Sequence, residues 1–516
     1  MVLMAYAACR RRGIAWIDLD DAMGDDGRPV FLWRACWHIG CANTAGLAAA
    51  GLRAGAPVPP TPGGVVDVDK KGHPTGVLRE RATDLITPFT EEKDQLVRRK
   101  YFEAGVAQCV AQGLTSLQSN DGGGAERGNR GGSWEHYVAM EQAGTLPLRV
   151  FLTVDYSDLA GGLAPPSGST GAGGSNSLVK CDRVKLFGDG SLGAETAAIR
   201  GAYNAEDGEE RPPAAAEEGV LIQSDAELAA KIRDAKGQGY RLEIHAIGDR
   251  AAASVLDGLE AAGVTPDDRA VITHCQLLGA DLISRMGAMQ TVANIQPQFV
   301  VTDAPFARVR VPARIQEHAY AWRTLLEKGI PCAGGSDAPV ELPTPLIGMH
   351  DAIFRYGAGA DPATAYRPTE CLTFEQALDL YTIGAAYACG EEHRLGKIKV
   401  GYAADLTVLD QDVSVDPQLL ASARVEQVWV AGVPRFDRVR AGVLPPAVQL
   451  GGPYIPGKNG PALALPPLGS LRLPHRLACG GGMRAPGSGC GCSDAARCGR
   501  VPFADTFLVG AKLGLP

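Results

Sequence analysis

Short apolar runs alternate along much of this chain with segments whose apolar residues recur at helical spacing. From about residue 91, strand-like runs occupy residues 114–117, 146–154, 184–187, 241–246, 270–275, 291–296 and 331–335. Helical spacing marks residues 91–112, 224–236, 251–262 and 319–328. Strands that alternate with helices over this length predict parallel β-α-β units.

Residue pattern and composition divide the chain into four predicted segments. Residues 1–90 are interpreted as an irregular loop segment that extends from the scaffold, and residues 91–395 as the α/β domain. Residues 396–445 have the short strands and tight turns of a small β-sandwich, and residues 446–516, rich in Pro, Gly and Cys, are expected to be poorly ordered. Because seven strand-like runs are one fewer than a closed barrel requires, we predict an α/β fold of the (β/α)8 TIM-barrel type that lacks its first strand, with a partial β-sandwich.

Composition narrows the class of partner. The 516 residues are 45% hydrophobic and 21% charged, as in globular proteins, and the net charge is -8. An acidic protein lacks the basic face that nucleic acid or an anionic membrane requires, so a small-molecule partner is expected. No apolar run reaches the roughly 18 residues of a membrane-spanning helix, and the first residues do not follow the order of a signal peptide. The compartment stays open, with the cytoplasm as the default, and homo-oligomer formation stays open as well.

Four chemically active side chains stand at the ends of apolar runs. Lys185, His245, His274 and Asp337 lie in VKLFGDG, IHAIGD, ITHC and GGSDAP. The functional residues of such barrels lie at the C-terminal ends of the strands, so these four are expected to lie close together. Neutral imidazole is a common zinc ligand, and a nearby carboxylate can accept a proton from a water molecule. The pattern therefore suggests a metal-dependent hydrolase.

Each of the four also has a structural interpretation. A buried ammonium requires a partner, so Lys185 could reach the end of its strand or pair with Asp189. A lone histidine in such a place is more often hydrogen-bonded in the core than bound to a metal, and Asp337 fits a turn or a helix cap. Two histidines on neighbouring strands are harder to explain in this way, which favours the metal site.

Between about residues 28 and 435, these residues belong to longer phrases in a fixed order. The phrases are RACWHIGCANTAGL with His38 and Asn43, GHPTGVLRE, VKLFGDGSLGAETA, HAIGDRA, THCQLL, IQPQFVVTDAPF, AYAWRTLLEKGIPCAGGSDAPVE and GYAADLTVLD. Together they resemble the amidohydrolase superfamily, in particular its amidohydrolase-3 (YtcJ-like) branch. The resemblance implies a (β/α)8 barrel joined to a small β-sandwich and the hydrolysis of carbon–nitrogen bonds other than peptide bonds in a small molecule.

The same resemblance implies roles for individual residues. Lys185 would be a carboxylated lysine that bridges two divalent metal ions, most commonly zinc, and His245 and His274 would bind the more buried ion. A metal-activated water would attack an amide-type carbon, and Asp337 would bind metal and act as the proton shuttle. The substrate side would be lined by Asp189, Gly190 and Gln296.

The chain departs from the family pattern at one point. Family members have a strand that ends in His-x-His before the segment equivalent to residues 28–50, whereas no two of the nine histidines here are separated by one residue. An N-terminally truncated chain is the simplest explanation, and it predicts one metal ion here where the family pattern has two. The alternative is a catalytically impaired or inactive barrel of this type that serves as a binding or regulatory protein.

Overall fold

The structure is a computed structural model of the chain, and it describes only part of the residues. The described residues are 2–4, 16–24, 27–34, 36–53, 56–86, 89, 95–122, 133–162, 164–171, 174–204 and 218–441. The tail predicted over residues 446–516 lies outside them, so its expected poor order stays a prediction.

The strands of the described residues form three sheets. The first sheet contains β1 (Val2–Met4), β2 (Phe31–Trp33), β3 (Ile39–Ala42), β4 (Gly64–Val68) and β5 (Pro74–Glu80). The second contains β6 (Ser116–Ser119), β7 (Arg149–Asp155), β8 (Ser169–Thr170), β9 (Val179–Phe187), β10 (Arg241–Ala246), β11 (Val271–His274), β12 (Val292–Ile295) and β13 (Cys332–Gly334). The third contains β14 (Leu406–Leu409), β15 (Val425–Val430) and β16 (Val433–Asp437).

Helices connect most of these strands. They are α1 (Trp16–Met23), α2 (Thr44–Ala49), α3 (Gln95–Ala111), α4 (Ser133–Gln142), α5 (Tyr156–Ala160), α6 (Asp225–Gly237), α7 (Asp249–Ala261), α8 (Ala280–Met289), α9 (Phe299–Arg310), α10 (Ala313–Gln316), α11 (Trp322–Glu327), α12 (Pro345–Phe354), α13 (Phe374–Tyr381), α14 (Ile383–Ala388) and α15 (Arg438–Ala441). Ser224 caps α6 in a capping box with Glu227. Within the described ranges, no helix is both long and apolar enough to cross a membrane.

Seven parallel strands form the central sheet of the molecule. Their order is β13-β12-β11-β10-β9-β7-β6, and each neighbouring pair is parallel. The short β8 pairs with β9 in the antiparallel direction. Each of these seven strands overlaps one of the seven predicted runs, and the barrel-type α/β fold is confirmed. In the part of the chain that the structure describes, no strand joins β6 to β13, the two edges at which a barrel would close.

The central strands have one apolar and one polar face. On β10, Leu242 and Ile244 belong to the main hydrophobic core, and α6 and α7 pack against this strand. Glu243 and His245 alternate with them and are also buried, as is Lys185 on β9. Because neighbours on a strand point to opposite faces, these polar side chains face the interior of the barrel rather than the helices.

The described part of residues 1–90 forms a sheet, in contrast to the irregular segment that the sequence predicted. The strand order is β1-β2-β3-β5-β4, and buried residues alternate with half-buried ones along β5. Phe31, Leu47 and Leu78 belong to a small core of its own. The strands are only three to seven residues long and lie between Gly- and Pro-rich loops. Runs this short do not identify strands by pattern alone, because pairing with distant runs stabilises them.

A side chain of β5 ties the first sheet to the loop that follows β9. Arg79 donates to both carboxylate oxygens of Asp67 at 2.8 Å and to the carbonyl oxygen of Ala194 at 2.7 Å. At the next position, Glu80 accepts a hydrogen bond from Thr196. The first sheet therefore lies against the C-terminal ends of the barrel strands.

The third sheet packs at the opposite end of β7. It is antiparallel, in the order β14-β15-β16, and its short strands agree with those predicted within residues 396–445. Arg149 on β7 forms a buried ion pair with Asp405, with Nε 2.6 Å from Oδ2. The division of the chain into domains stays a prediction.

Candidate active site at the strand ends

Three of the four residues predicted from the strand ends come from the adjacent strands β9, β10 and β11. Lys185 lies on β9 and is paired in register with Glu243 of β10, and His274 at the end of β11 is paired with Ala246 of β10. Asp337 follows β13. Strand register thus brings Lys185, His245 and His274 to one end of the sheet, as expected for a barrel.

His245 and His274 lie side by side and are both buried. Their ring centroids are 4.4 Å apart and their planes cross at 71°. Nε2 of His245 lies 2.9 Å from the carbonyl oxygen of Gly190, and Nδ1 of His274 lies 2.8 Å from Oε1 of Gln296. Because both partners are acceptors, these two ring nitrogens carry the hydrogens. Nδ1 of His245 and Nε2 of His274 therefore keep their lone pairs.

The side-chain amide of Gln296 is oriented by a second contact. Its Nε2 faces two oxygen atoms of Asn294, the backbone carbonyl at 3.3 Å and Oδ1 at 3.4 Å. An amide nitrogen donates to such oxygens, so Oε1 is the atom that faces His274. Partners that orient an imidazole through its N–H are typical of metal-binding histidines.

The environment of His274 favours its neutral form. Burial lowers the pKa of His274 well below its ordinary value of 6.5, and electrostatic interactions with His245, Lys185 and His38 lower it further. A metal-binding imidazole must be neutral, so this environment is compatible with a ligand.

Asp189 and Gly190 belong to a loop that contacts His245. The Asp189 carboxylate is completely buried and accepts backbone N–H groups from Ala198, Ile247 and Gly248 at 2.8–3.0 Å. These bonds hold the loop that presents the Gly190 carbonyl to His245. The predicted substrate contacts of Asp189, Gly190 and Gln296 stay a prediction, since in this structure they contact the two histidines or the loop beside them.

Lys185 forms an ion pair that the sequence reasoning did not identify. Its Nζ lies 3.4 Å from Oε1 of Glu243, while Nη1 of Arg183 lies 3.1 Å from Oε2. Thr153 and Thr273 also donate to this carboxylate. Burial alone would raise the pKa of Glu243, but the charges of Lys185 and Arg183 outweigh it and lower the pKa to about 2. The sequence held one signal for Glu243. It lies two residues before His245 on the same strand, which places both side chains on the interior face.

The backbone is strained where the site residues leave their strands. His274 has φ 84°, Cys275 φ 49° and Asp337 φ 53°, all in the left-handed region that residues with a Cβ rarely adopt. Such strain costs on the order of 1–3 kcal/mol per residue and concentrates at functional sites. The strained residues here thus mark the same strand ends as the chemistry.

A cavity of about 60 Å³ opens beside His274. The Asp337 side chain is exposed there and shares the lining with His274. The remaining lining residues are Cys36, His38, Ser191, Leu192, Gly193, Ile247, Gln276, Phe299, Thr302, Asp303 and Val340. This space is the candidate site for a substrate group.

The first sheet contributes His38, which the sequence reasoning quoted but did not place in the site. Nδ1 of His38 lies 2.7 Å from Oε2 of Glu80, and its ring centroid is 5.4 Å from that of His245. Burial alone would lower the pKa of His38, but the Glu80 carboxylate outweighs it and raises the pKa to about 9. The only sequence signal was the position of His38 in a phrase shared with the family.

Two of the four predicted metal ligands, His245 and His274, lie together in this site. The two histidines offer one lone-pair nitrogen each, and Asp337 borders the same cavity. Within the described ranges, no three His, Cys, Asp or Glu side chains are grouped closely enough to hold an ion. Lys185, the fourth predicted ligand, is an ammonium paired with Glu243.

Comparisons with known proteins identify the family. A sequence model of the amidohydrolase family matches residues 5–436. The chain is 34% identical over 418 residues to YtcJ of Bacillus subtilis (strain 168), which is named an amidohydrolase; the match covers 80% of this chain and 75% of YtcJ. It is 27% identical over 433 residues to the N-substituted formamide deformylase of Arthrobacter pascens, covering 80% of this chain and 74% of that enzyme.

A solved structure is similar over most of its length. It is the crystal structure of an uncharacterized metal-dependent hydrolase from Pyrococcus furiosus, with 26% identity and a TM-score of 0.55. The similarity covers 78% of this chain and 76% of that one. The sequence match and the shared barrel lead to one conclusion: this chain belongs to the amidohydrolase family.

Proposed function

We propose that this protein is a metal-dependent hydrolase that cleaves a carbon–nitrogen bond, other than a peptide bond, in a small molecule. The observation that carries the proposal is the pair of buried imidazoles. His245 and His274 each hold one ring nitrogen in a hydrogen bond to an acceptor and keep a lone pair on the other. Metal sites with an open position for water have this kind of oriented ligand.

In this proposal, different residues of the chain have different roles in the reaction. A divalent ion, when bound, supplies Lewis acidity that polarises the substrate and lowers the pKa of a water molecule. His245 and His274 would hold the ion, while Gly190 and Gln296 keep the two rings oriented. Asp337 would accept a proton from the water as it attacks the amide-type carbon, and would pass that proton to the leaving nitrogen.

Zinc is the ion that this donor set suits best. Two neutral imidazoles are good zinc ligands, and one ion per chain is proposed because His245 and His274 form a single pair. Carboxylation of Lys185 would add an anionic ligand, but the amine would first have to leave its ion pair with Glu243. Arg183 would then remain as the partner of Glu243.

The relatives support the reaction class. YtcJ is named an amidohydrolase, the Arthrobacter relative an N-substituted formamide deformylase, and the Pyrococcus neighbour a metal-dependent hydrolase. We therefore propose N-formyl and N-acyl amines as the first substrates to test. The identity of the substrate stays part of the proposal.

The test combines metal content with turnover. Protein dialysed against zinc should retain about one equivalent by plasma mass spectrometry and should hydrolyse members of an N-formyl and N-acyl amine panel, with activity lost on chelation. His274→Ala should lose both metal and turnover, whereas Asp337→Asn should keep much of the metal and lose turnover. His393→Ala is the matched control, because this histidine is exposed and far along the chain from the site.

A second candidate function is favoured by the ion pair of Lys185. If this ammonium keeps Glu243 as its partner, Lys185 does not supply an anionic ligand, as in a catalytically inactive barrel that serves as a binding or regulatory protein. Retained metal with no turnover on the panel would favour this candidate. Turnover that survives chelation and His274→Ala would contradict the metal-dependent hydrolase.

A further inference from the structure

Three polar side chains form a hydrogen-bonded triangle in or beside the cavity. Nε2 of Gln276 donates to Oδ2 of Asp303 at 2.8 Å and to the hydroxyl oxygen of Tyr320 at 2.8 Å. The Tyr320 hydroxyl donates to the same Oδ2 atom at 2.8 Å. Asp303 and Gln276 both line the cavity that His274 and Asp337 border.

The triangle determines which atom of the Gln276 amide remains without a partner. A carboxylate oxygen only accepts, so the amide atom that faces Asp303 must be the nitrogen. Oε1 of Gln276 is then the other atom, and among the residues that the structure describes it is buried without a hydrogen-bond partner. Gln276 is only 2% exposed, and it lines the cavity. A buried acceptor without a partner costs about 1–3 kcal/mol, and a ligand that brings an N–H would remove this cost.

Two carboxyl groups on the same side of the cavity have raised pKa values. Burial raises the pKa of Asp303 to about 6, although Tyr320, Gln276 and Arg34 lower it in part. Glu341 lies nearby, and burial raises its pKa to about 7, with a hydrogen bond from Thr302 lowering it and the charges of Asp303 and Asp351 raising it further. Perturbed carboxyl groups in a cleft are typical of binding sites, because a ligand can supply a compensating charge.

We propose that the substrate carries a protonated primary or secondary amine that binds between the Asp303 carboxylate and Oε1 of Gln276. This inference rests on the proposed function for the reaction, and it adds the class of substrate: an amide or formamide with a second, cationic nitrogen. An ammonium group suits the place for two reasons. It supplies a positive charge that pairs with the Asp303 carboxylate, and it has a second N–H for Gln276. A hydroxyl group could satisfy one acceptor but would bring no charge.

Equilibrium binding tests the inference without turnover. The probes are n-butylammonium and its neutral counterpart 1-butanol, titrated at pH 7.5 into the purified full chain and followed by saturation-transfer NMR. The ammonium is expected to bind at least 10-fold more tightly than the alcohol. Asp303→Asn should weaken ammonium binding at least 10-fold and leave the alcohol unchanged, since asparagine can still accept from Gln276 and Tyr320.

Two further variants keep the test decisive. Asp281→Asn is the matched control, because it removes an exposed carboxylate that pairs with Arg200, and it should leave both affinities unchanged. Gln276→Met deletes the buried acceptor at similar volume and should weaken ammonium binding several-fold, which tests the site even if Asp303→Asn fails to fold. Equal affinity for the two probes, or a preference that survives both Asp303→Asn and Gln276→Met, would overturn the inference.

The result is also separable from the proposed function. Neither probe contains a scissile carbon–nitrogen amide bond, so their binding does not depend on hydrolysis. A clear ammonium preference in a protein that hydrolyses nothing would support this site and count against the hydrolase. Turnover of neutral amides alone, with no ammonium preference, would do the reverse.

Discussion

Nζ of Lys185 lies 3.4 Å from Oε1 of Glu243, across the adjacent strands β9 and β10. Both side chains are buried in the barrel interior, and Arg183 shares the carboxylate. The two cations face one anion, so Glu243 holds together a charged network in a place where charge is costly.

Removing the charge of Glu243 should destabilise the fold strongly. Glu243→Gln leaves Lys185 and Arg183 without an anionic partner, and breaking a buried ion pair in this way costs about 3–5 kcal/mol. Urea denaturation monitored by circular dichroism measures the loss. The control is Glu327→Gln, an exposed partner of Arg323 on α11, which should cost less than about 1 kcal/mol. Similar losses in the two variants would contradict the role of the network.

The contribution of Glu243 should depend on pH in the acid range. Burial would raise the pKa of this group, but Lys185 and Arg183 lower it from 4.5 to about 2. A carboxyl group whose folded pKa lies below its unfolded value stabilises the fold above the unfolded pKa. That stabilisation, about 3 kcal/mol here, is lost as the pH falls from about 4.5 towards 2. The gap in unfolding free energy between wild type and Glu243→Gln should therefore be smaller at pH 3 than at pH 6, and a gap independent of pH would refute this.

The contribution of the Asp303 carboxyl group to stability should depend on pH in the opposite direction. Its folded pKa, raised by burial to about 6, lies above the ordinary value of 3.8. Ionisation is thus easier in the unfolded chain, and stability is lost as the pH rises from about 4 to 6. Asp303→Asn removes this loss and should stabilise the protein at pH 7.5 by about 1–2 kcal/mol, a value reduced because the side chain is partly exposed to the cavity. Thermal melts at pH 7.5 check this prediction. A lower melting temperature for the variant than for wild type would contradict it, because the ionised carboxylate would then be stabilised by its partners in the folded protein.

Gly190 and Gly193 lie in one loop, so alanine substitutions at these two positions can be compared directly. A Cβ at Gly190 would lie 2.3 Å from both Oε1 of Glu80 and Oγ1 of Thr196, whereas a Cβ at Gly193 would meet nothing within 4 Å. Gly190→Ala should destabilise the protein by about 1–3 kcal/mol through overpacking. It should also displace the carbonyl that orients His245 and weaken metal binding about 10–100-fold. Gly193→Ala should change neither quantity, so competition with a zinc chelator and thermal melts of both variants check the prediction.

Much of the fold was predictable because it depends on local patterns. Apolar runs bounded by turns identified all seven parallel strands, and His245 and His274, predicted from the strand ends, lie side by side. The first sheet was missed because its strands are short and gain stability only from distant partners. For example, β1 pairs with β2, and β3 with β5, across long intervening segments.

The sequence by itself determined the class of fold, the family and the strand ends at which the chemistry lies, since each of these depends on residues close together in the chain. Only the tertiary structure decided which side chains meet there. Glu243 reaches Lys185 from 58 residues away, and Glu80 reaches Thr196 from 116 residues away. Strand register and the packing of the first sheet set such contacts, and neither can be read from the spacing of residues along a single segment.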